Sequence, residues 1–141
     1  MKKKILVVDD EKHMLSLLRK ALKSDENEIY EASNGEEAFE FIRKHDVDLV
    51  LTDISMPKMQ GTELFFKIKK MNPFIQIIII TAYPSLQNIA NMLEGGASDF
   101  IIKPFEIEDL QRIVDETVKR IERWRNLRLQ WLEYKKNMRA K

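Results

Sequence analysis

Short runs of branched apolar residues recur along this chain at intervals that leave room for one helix between each pair, and this alternation constrains the fold most. The runs are Ile5-Leu6-Val7-Val8, Ile29-Tyr30-Glu31-Ala32, Leu49-Val50-Leu51-Thr52, Ile75 to Ile80, and Phe100-Ile101-Ile102. Between them apolar residues return every three or four positions, as in Met14, Leu17, Leu18, Ala21 and Leu22, or Ala38, Phe39 and Ile42. Asn34-Gly35 stands where one such segment begins, and Gly95-Gly96 closes another as a left-handed helix cap would. Strands that are apolar on both faces and alternate with helices call for a parallel sheet covered on both sides. Five βα units are expected, with ligands bound beyond the carboxyl ends of the strands.

The chain has 141 residues, of which 44% are hydrophobic and 33% charged, enough to build one core and too few glycines and prolines for disorder. No cysteine is present, which excludes disulfide frameworks, thiolate metal sites and cysteine nucleophiles. His13 and His45 lie in unrelated segments, so a histidine-rich metal site is not expected. Lys2-Lys3-Lys4 followed by Ile5 to Val8 imitates a secretory leader, but Asp9-Asp10 ends the apolar run far short of the ~7–15 residues a leader needs. No run approaches the ~20 residues of a membrane span, and a cytoplasmic, soluble protein is expected.

The net charge of +1 hides a split. Residues 119–141 hold nine basic and two acidic residues, +7, while residues 1–118 hold 15 basic and 21 acidic ones, −6. Two parts with different work are expected, a domain over 1–118 and a basic helical extension over 119–141.

The polar residues collect at the strand ends: Asp9-Asp10 after the first run, Asp53 after the third, Thr81 after the fourth and Lys103 after the fifth. Singly, each reads as a cap, a turn residue or a solvated charge. Together they put three carboxylates, a hydroxyl and an ammonium on one rim. Carboxylates that close repel, and one must take up a proton unless a cation intervenes. Magnesium favours such oxygen ligands together with phosphate oxygens, so the rim reads as a site for a metal and a phosphoryl group.

These residues, with Asp53-Ile54-Ser55-Met56-Pro57-Lys58-Met59-Gln60-Gly61, Thr81-Ala82 and Lys103-Pro104, closely resemble the receiver domain of two-component response regulators over about residues 3–118. The resemblance implies a flavodoxin-like fold with strand order 2-1-3-4-5. It implies that Asp53 accepts a phosphoryl group from a sensor histidine kinase or phosphotransfer protein. Asp10, Asp53 and the Ser55 backbone carbonyl would ligate Mg²⁺ (or Mn²⁺), with Asp9 acting through water. Lys103 would pair with the phosphate, the Thr81 hydroxyl and Ala82 amide would bond its oxygens, and Thr81 with Phe100 would form the switch. The resemblance further implies a cis Lys103-Pro104 peptide, loop roles for Pro57 and Gly61, and an influence of Ser55 and Tyr83 on hydrolysis. Such a domain phosphorylates and dephosphorylates itself and is not a turnover enzyme.

An aspartate-nucleophile phosphohydrolase of the haloacid dehalogenase type would also set an Asp at a strand end, but it wants a second Asp two residues on, where this chain has Ser55. A nucleotide-binding protein would show GxxxxGK[ST] or GxGxxG, and neither is present. From 106 to 138 the chain reads as one helix, with Ile113, Val114, Thr117 and Ile121 covering the sheet or a partner. The seam Leu110, Val114, Thr117, Ile121, Trp124 joins a second, Trp124, Leu127, Trp131, Tyr134, Met138, through consecutive steps of three, which would overwind a coiled coil. A homodimer with Ile121, Trp124, Leu127, Trp131 and Tyr134 on its seam is expected. Folding back on the domain and nucleic-acid binding through Arg, Lys and Trp are the alternatives. No helix-turn-helix is visible, so specific DNA reading is not expected.

Overall fold

A computed structural model describes residues 2–56 and 58–140. Met1, Pro57 and Lys141, and with them the expected loop role of Pro57, lie outside the described residues. Five strands, β1 (Lys3–Val8), β2 (Asn27–Ala32), β3 (Leu49–Thr52), β4 (Gln76–Thr81) and β5 (Asp99–Ile102), alternate with α1 (Lys12–Leu22), α2 (Gly35–Lys44), α3 (Gly61–Met71), α4 (Leu86–Glu94) and α5 (Ile107–Ala140). Every strand pair is parallel, and the order is β2-β1-β3-β4-β5. This is the doubly wound α/β sheet that the alternation required.

Successive residues of the inner strands go to opposite sides of the sheet. Ile5, Leu49 and Ile78 pack with Leu18 of α1 and with Leu110 and Val114 of α5. Leu6, Val50 and Ile77 pack with Ala38 of α2, Phe65 of α3 and Met92 of α4. The helix ends follow the local chemistry. The Asn34 side chain caps α2 by accepting from the Glu37 N–H at 2.9 Å, and Gly96, at φ +100°, takes the left-handed turn after α4.

Helix α5 has 34 residues, roughly 50 Å at ~1.5 Å per residue. Leu110, Val114, Thr117 and Ile121 are buried against the chain's own sheet. Ile121, expected on an intermolecular seam, is therefore part of the domain core, because the helix continues past the end of the sheet only after it. The boundary expected at 118/119 falls inside this unbroken helix. Lys3 pairs with Glu122 at 3.2 Å, Arg125 with Asp48 at 2.7 Å, and the Arg128 guanidinium lies 4.4 Å from the centre of the Phe74 ring. Asp48 is held for this from the other side, since its second oxygen accepts from the Lys4 N–H at 2.9 Å.

At ~100° per residue, Arg125, Arg128 and Leu132 continue the domain-facing stripe, and Trp124, Leu127, Trp131, Tyr134 and Met138 lie roughly a quarter turn away from it. The steps of three in the sequence mark this change of face. The second stripe is exposed throughout, from 39% at Trp124 to 56% at Tyr134. Among the described residues no helix is long and apolar enough to cross a membrane.

Candidate functional site at the carboxyl rim of the sheet

The rim is assembled by strands rather than by loops. β1 and β3 are hydrogen-bonded neighbours, so the residues that follow them, Asp9 and Asp53, emerge side by side. The Asp53 N–H donates to the Val8 carbonyl at 3.2 Å and the Asp9 N–H to the Ala32 carbonyl at 3.2 Å, which extends the ladder to the two aspartates themselves. On the other side the Lys103 N–H donates to the Thr81 carbonyl at 2.8 Å and fixes where the lysine leaves β5.

Lys103 closes the site. Its Nζ lies 2.9 Å from Asp9 Oδ2 and 3.1 Å from Asp53 Oδ2, spanning residues 94 and 50 positions apart. The remaining oxygens are held by backbone. Asp9 Oδ1 accepts from the Glu11 N–H at 2.9 Å, and Asp53 Oδ1 from the Ile54 N–H at 2.6 Å. Asp10 is exposed, yet one oxygen from each of Asp9, Asp10 and Asp53 lies within 4.8 Å of the others.

Three carboxylates face one ammonium, so the site is short of positive charge. Burial pushes the Asp9 carboxyl above the usual carboxylate range against the opposing pull of its Glu11 and Lys103 hydrogen bonds. Burial alone would lower Lys103, but its bonds to Asp9 and Asp53 outweigh that and hold it above the ordinary lysine value. A rim of hard oxygen donors that is one or two charges short is suited to a divalent cation, with Asp10 left open to solvent as a ready ligand.

The other expected residues are placed as follows. Thr81 is fully buried, and its Oγ1 accepts from the Tyr83 N–H at 3.1 Å. Ala82 and Ser55 are exposed beside the rim, and the Tyr83 side chain is 76% exposed. Phe100 is half-buried and packs on the α2–α3–α4 side of the sheet. The Lys103–Pro104 peptide is cis. Trp124, Leu127, Trp131 and Tyr134 are on the projecting half of α5, at the opposite end of the sheet from the rim.

One support of the site was missed in the sequence, Thr52, and a second, Gly61, lies in the loop position expected for it. The Thr52 hydroxyl donates to the Asp53 carbonyl at 3.0 Å, so a polar residue in a fully apolar strand serves to hold the turn. Gly61 runs so close beneath Asp53 that an added Cβ would collide with the Asp53 carbonyl oxygen, and its N–H donates to the Ile54 carbonyl at 2.9 Å. A threonine ending an otherwise aliphatic strand was the available signal for the first.

Residues 5–115 match the family described as the response regulator receiver domain. The transcriptional regulatory protein ZraR of Klebsiella oxytoca is 39% identical over 114 residues, 81% of this chain and 26% of that protein. The sporulation initiation phosphotransferase F of Bacillus subtilis is 35% identical over 81% of this chain and 92% of its own length. Among solved structures, a CheY-like receiver domain protein from Methanospirillum hungatei superposes with a TM-score of 0.83 at 33% identity, covering 87% of this chain and 98% of that one. The chain thus spans about a quarter of the longer transcriptional regulators and nearly all of the short relatives.

Proposed function

Since the chain belongs to the response regulator receiver family, we propose that Asp53 is its phosphoacceptor. An Asp53 carboxylate oxygen attacks the phosphorus of a phosphohistidine on a sensor kinase or phosphotransfer protein. The N–P bond breaks, the imidazole departs and an acyl phosphate remains. The observation that carries this is the Lys103 ammonium, within hydrogen-bond reach of Asp53 and Asp9 at once. It sits where charge must be balanced as the phosphoryl group arrives, and phosphoryl transfer depends mainly on positioning and charge stabilisation.

Asp9, Asp10 and Asp53, with the Ser55 carbonyl, would hold Mg²⁺ or Mn²⁺. Bound there, the ion supplies charge neutralisation for the phosphoryl oxygens. The Thr81 hydroxyl and Ala82 N–H would then bond those oxygens. Turning toward them would take Thr81 away from the Tyr83 N–H, and the half-buried Phe100 would move with it. Hydrolysis by water returns the carboxylate. The exchange belongs in the cytoplasm, where kinases make phosphohistidine from ATP.

The output runs through the projecting half of α5. Its exposed aromatic stripe, which the sequence reads as a homodimer seam, supports association with another helix. The test of the central assignment is labelling by acetyl phosphate and Mg²⁺. Asp53 should be the sole labelled residue, and an Asp53→Ala protein that takes up label at the wild-type rate would sink it.

A further inference from the structure

The flanks of the exposed α5 stripe carry a charge pattern that a second copy cannot answer. With Trp124, Trp131 and Met138 at a and Leu127 and Tyr134 at d, the e positions are Arg128 and Lys135 and the g positions are Arg123, Gln130 and Asn137. All five flanking residues are exposed. A parallel pair of identical helices would set Arg123 against Arg128 and Gln130 against Lys135. An antiparallel pair would set e against e, which is basic against basic. Neither arrangement forms an interhelical ion pair.

The chain's own domain does not fill this face either. It meets the neighbouring stripe, through Arg125 on Asp48 and Arg128 on Phe74. Between the two stripes lies an apolar groove of about 590 Å³ floored by Pro73 and Phe74 and walled by Trp124, Leu127, Arg128 and Trp131. Nucleic acid fits less well. Arg125 is already engaged with Asp48, and an exposed line of Trp124, Leu127, Trp131 and Tyr134 in helical register is an apolar surface to be covered rather than a row of phosphate contacts.

We propose that the projecting half of α5 is a docking site for an acidic amphipathic helix of another protein, one with aliphatic residues at its seam and Glu or Asp on its flanks. Its apolar edge covers Trp124, Leu127, Trp131 and Tyr134, its acids meet Arg123, Arg128 and Lys135, and its end abuts Phe74. This deepens the output assigned to α5 above. Asp53 labelling is followed in the same samples, so that loss of docking with labelling intact counts against docking alone.

The probe is a fluorescent peptide of about 21 residues, three heptads, with Leu at a and d and Glu at e and g, too acidic to pair with itself. Controls are the same peptide with Lys at e and g, and a scrambled Glu peptide. By anisotropy on the full chain at about 0.15 M salt, the Glu peptide should bind at least about tenfold more tightly than either control. R128E/K135E should invert the preference. K135E alone, which leaves the Phe74 contact in place, should weaken Glu-peptide binding. Equal binding of the Glu and Lys peptides, or of the scrambled peptide, would overturn the proposal, as would no binding at about 100 μM. So would a chain that sediments as a dimer which the Glu peptide does not dissociate, or duplex DNA binding more tightly than the Glu peptide through Arg128 and Lys135.

Discussion

At the carboxyl end of the sheet the polar groups are mostly buried and Lys103 bridges two carboxylates, whereas along the far half of α5 the large side chains stand exposed in a line. The first region is held by strands. Asp9, Asp53, Thr81 and Lys103 each continue or end a strand whose neighbours are hydrogen-bonded to it, so their relative positions are fixed by the ladder. The second region is held by one helix, tied to the domain at Glu122, Arg125 and Arg128 and, among the described residues, by no buried core residue beyond Ile121. Chemistry needs atoms placed to within a fraction of an ångström, and a partner surface needs a pattern that can be covered. The two ends of this molecule separate these requirements, and substitutions at one end should leave the other end's measurement alone.

The largest expected effect is at the rim. Asp53→Ala should abolish labelling by acetyl phosphate. Lys103→Ala, which removes the ammonium between Asp9 and Asp53, should slow it by about a hundredfold or more. Asp10→Ala should instead raise the Mg²⁺ concentration needed for half-maximal labelling, because it removes an exposed ligand without disturbing the Lys103 bonds. Trp131→Ala should label at the wild-type rate. A slow Trp131→Ala would break the separation of the two ends.

Stability gives the next effect and divides α5 itself. Leu110→Ala empties a fully buried position between α5 and the sheet and should cost about 2–5 kcal/mol in urea unfolding. Trp131→Ala deletes a larger side chain on the same helix, but one that is 55% exposed and stacked on Tyr134 at 5.9 Å, and should shift stability by no more than about 0.5 kcal/mol. If Trp131→Ala destabilises the isolated chain as much as Leu110→Ala, the far stripe belongs to the domain and is not a free surface.

The two regions were also unequally legible in the sequence. The sheet could be read because each strand is a continuous apolar run, and the rim because strand ends are where runs stop. Thus the gathering of Asp9, Asp53, Thr81 and Lys103 on one rim was readable without coordinates. Which carboxylate faces the lysine was not readable. Asp9 and Asp10 are adjacent, and only the direction in which the chain leaves β1 buries one and exposes the other. Ile121 was assigned to an intermolecular seam because period alone cannot tell which neighbour a helical stripe meets. The Arg125–Asp48 pair, 77 positions apart, left no local trace.

That pair should give a smaller effect. Arg125→Ala removes a half-screened ion pair and should cost about 0.5–1 kcal/mol. Its sharper signature is local. Amide hydrogen exchange should accelerate beyond residue 122 and stay unchanged at β1 and β3, because the helix is released without disturbing the core. Faster exchange throughout the sheet would show that α5 is welded to the domain as far as Arg128.

The smallest effect sets one exposed aromatic against another. Tyr83 is 76% exposed and Trp131 55%, so burial alone would class both as surface. Tyr83 differs in its backbone, since its N–H donates to Thr81 Oγ1 at 3.1 Å. If, as proposed, the Thr81 hydroxyl turns to a phosphoryl oxygen on Asp53, that bond would be given up and the Tyr83 segment would be free to fold over the rim. A bulky ring there would obstruct the path of attacking water, and Ser55 would do little to orient that water. Tyr83→Ala should therefore speed dephosphorylation by about threefold, worth about 0.6 kcal/mol of barrier. Its labelling rate should stay unchanged, because the unphosphorylated site does not use the ring. Loss of phosphate after removal of the donor measures this directly. A decay as slow as wild type would show that Tyr83 is as indifferent to the chemistry as Trp131 is.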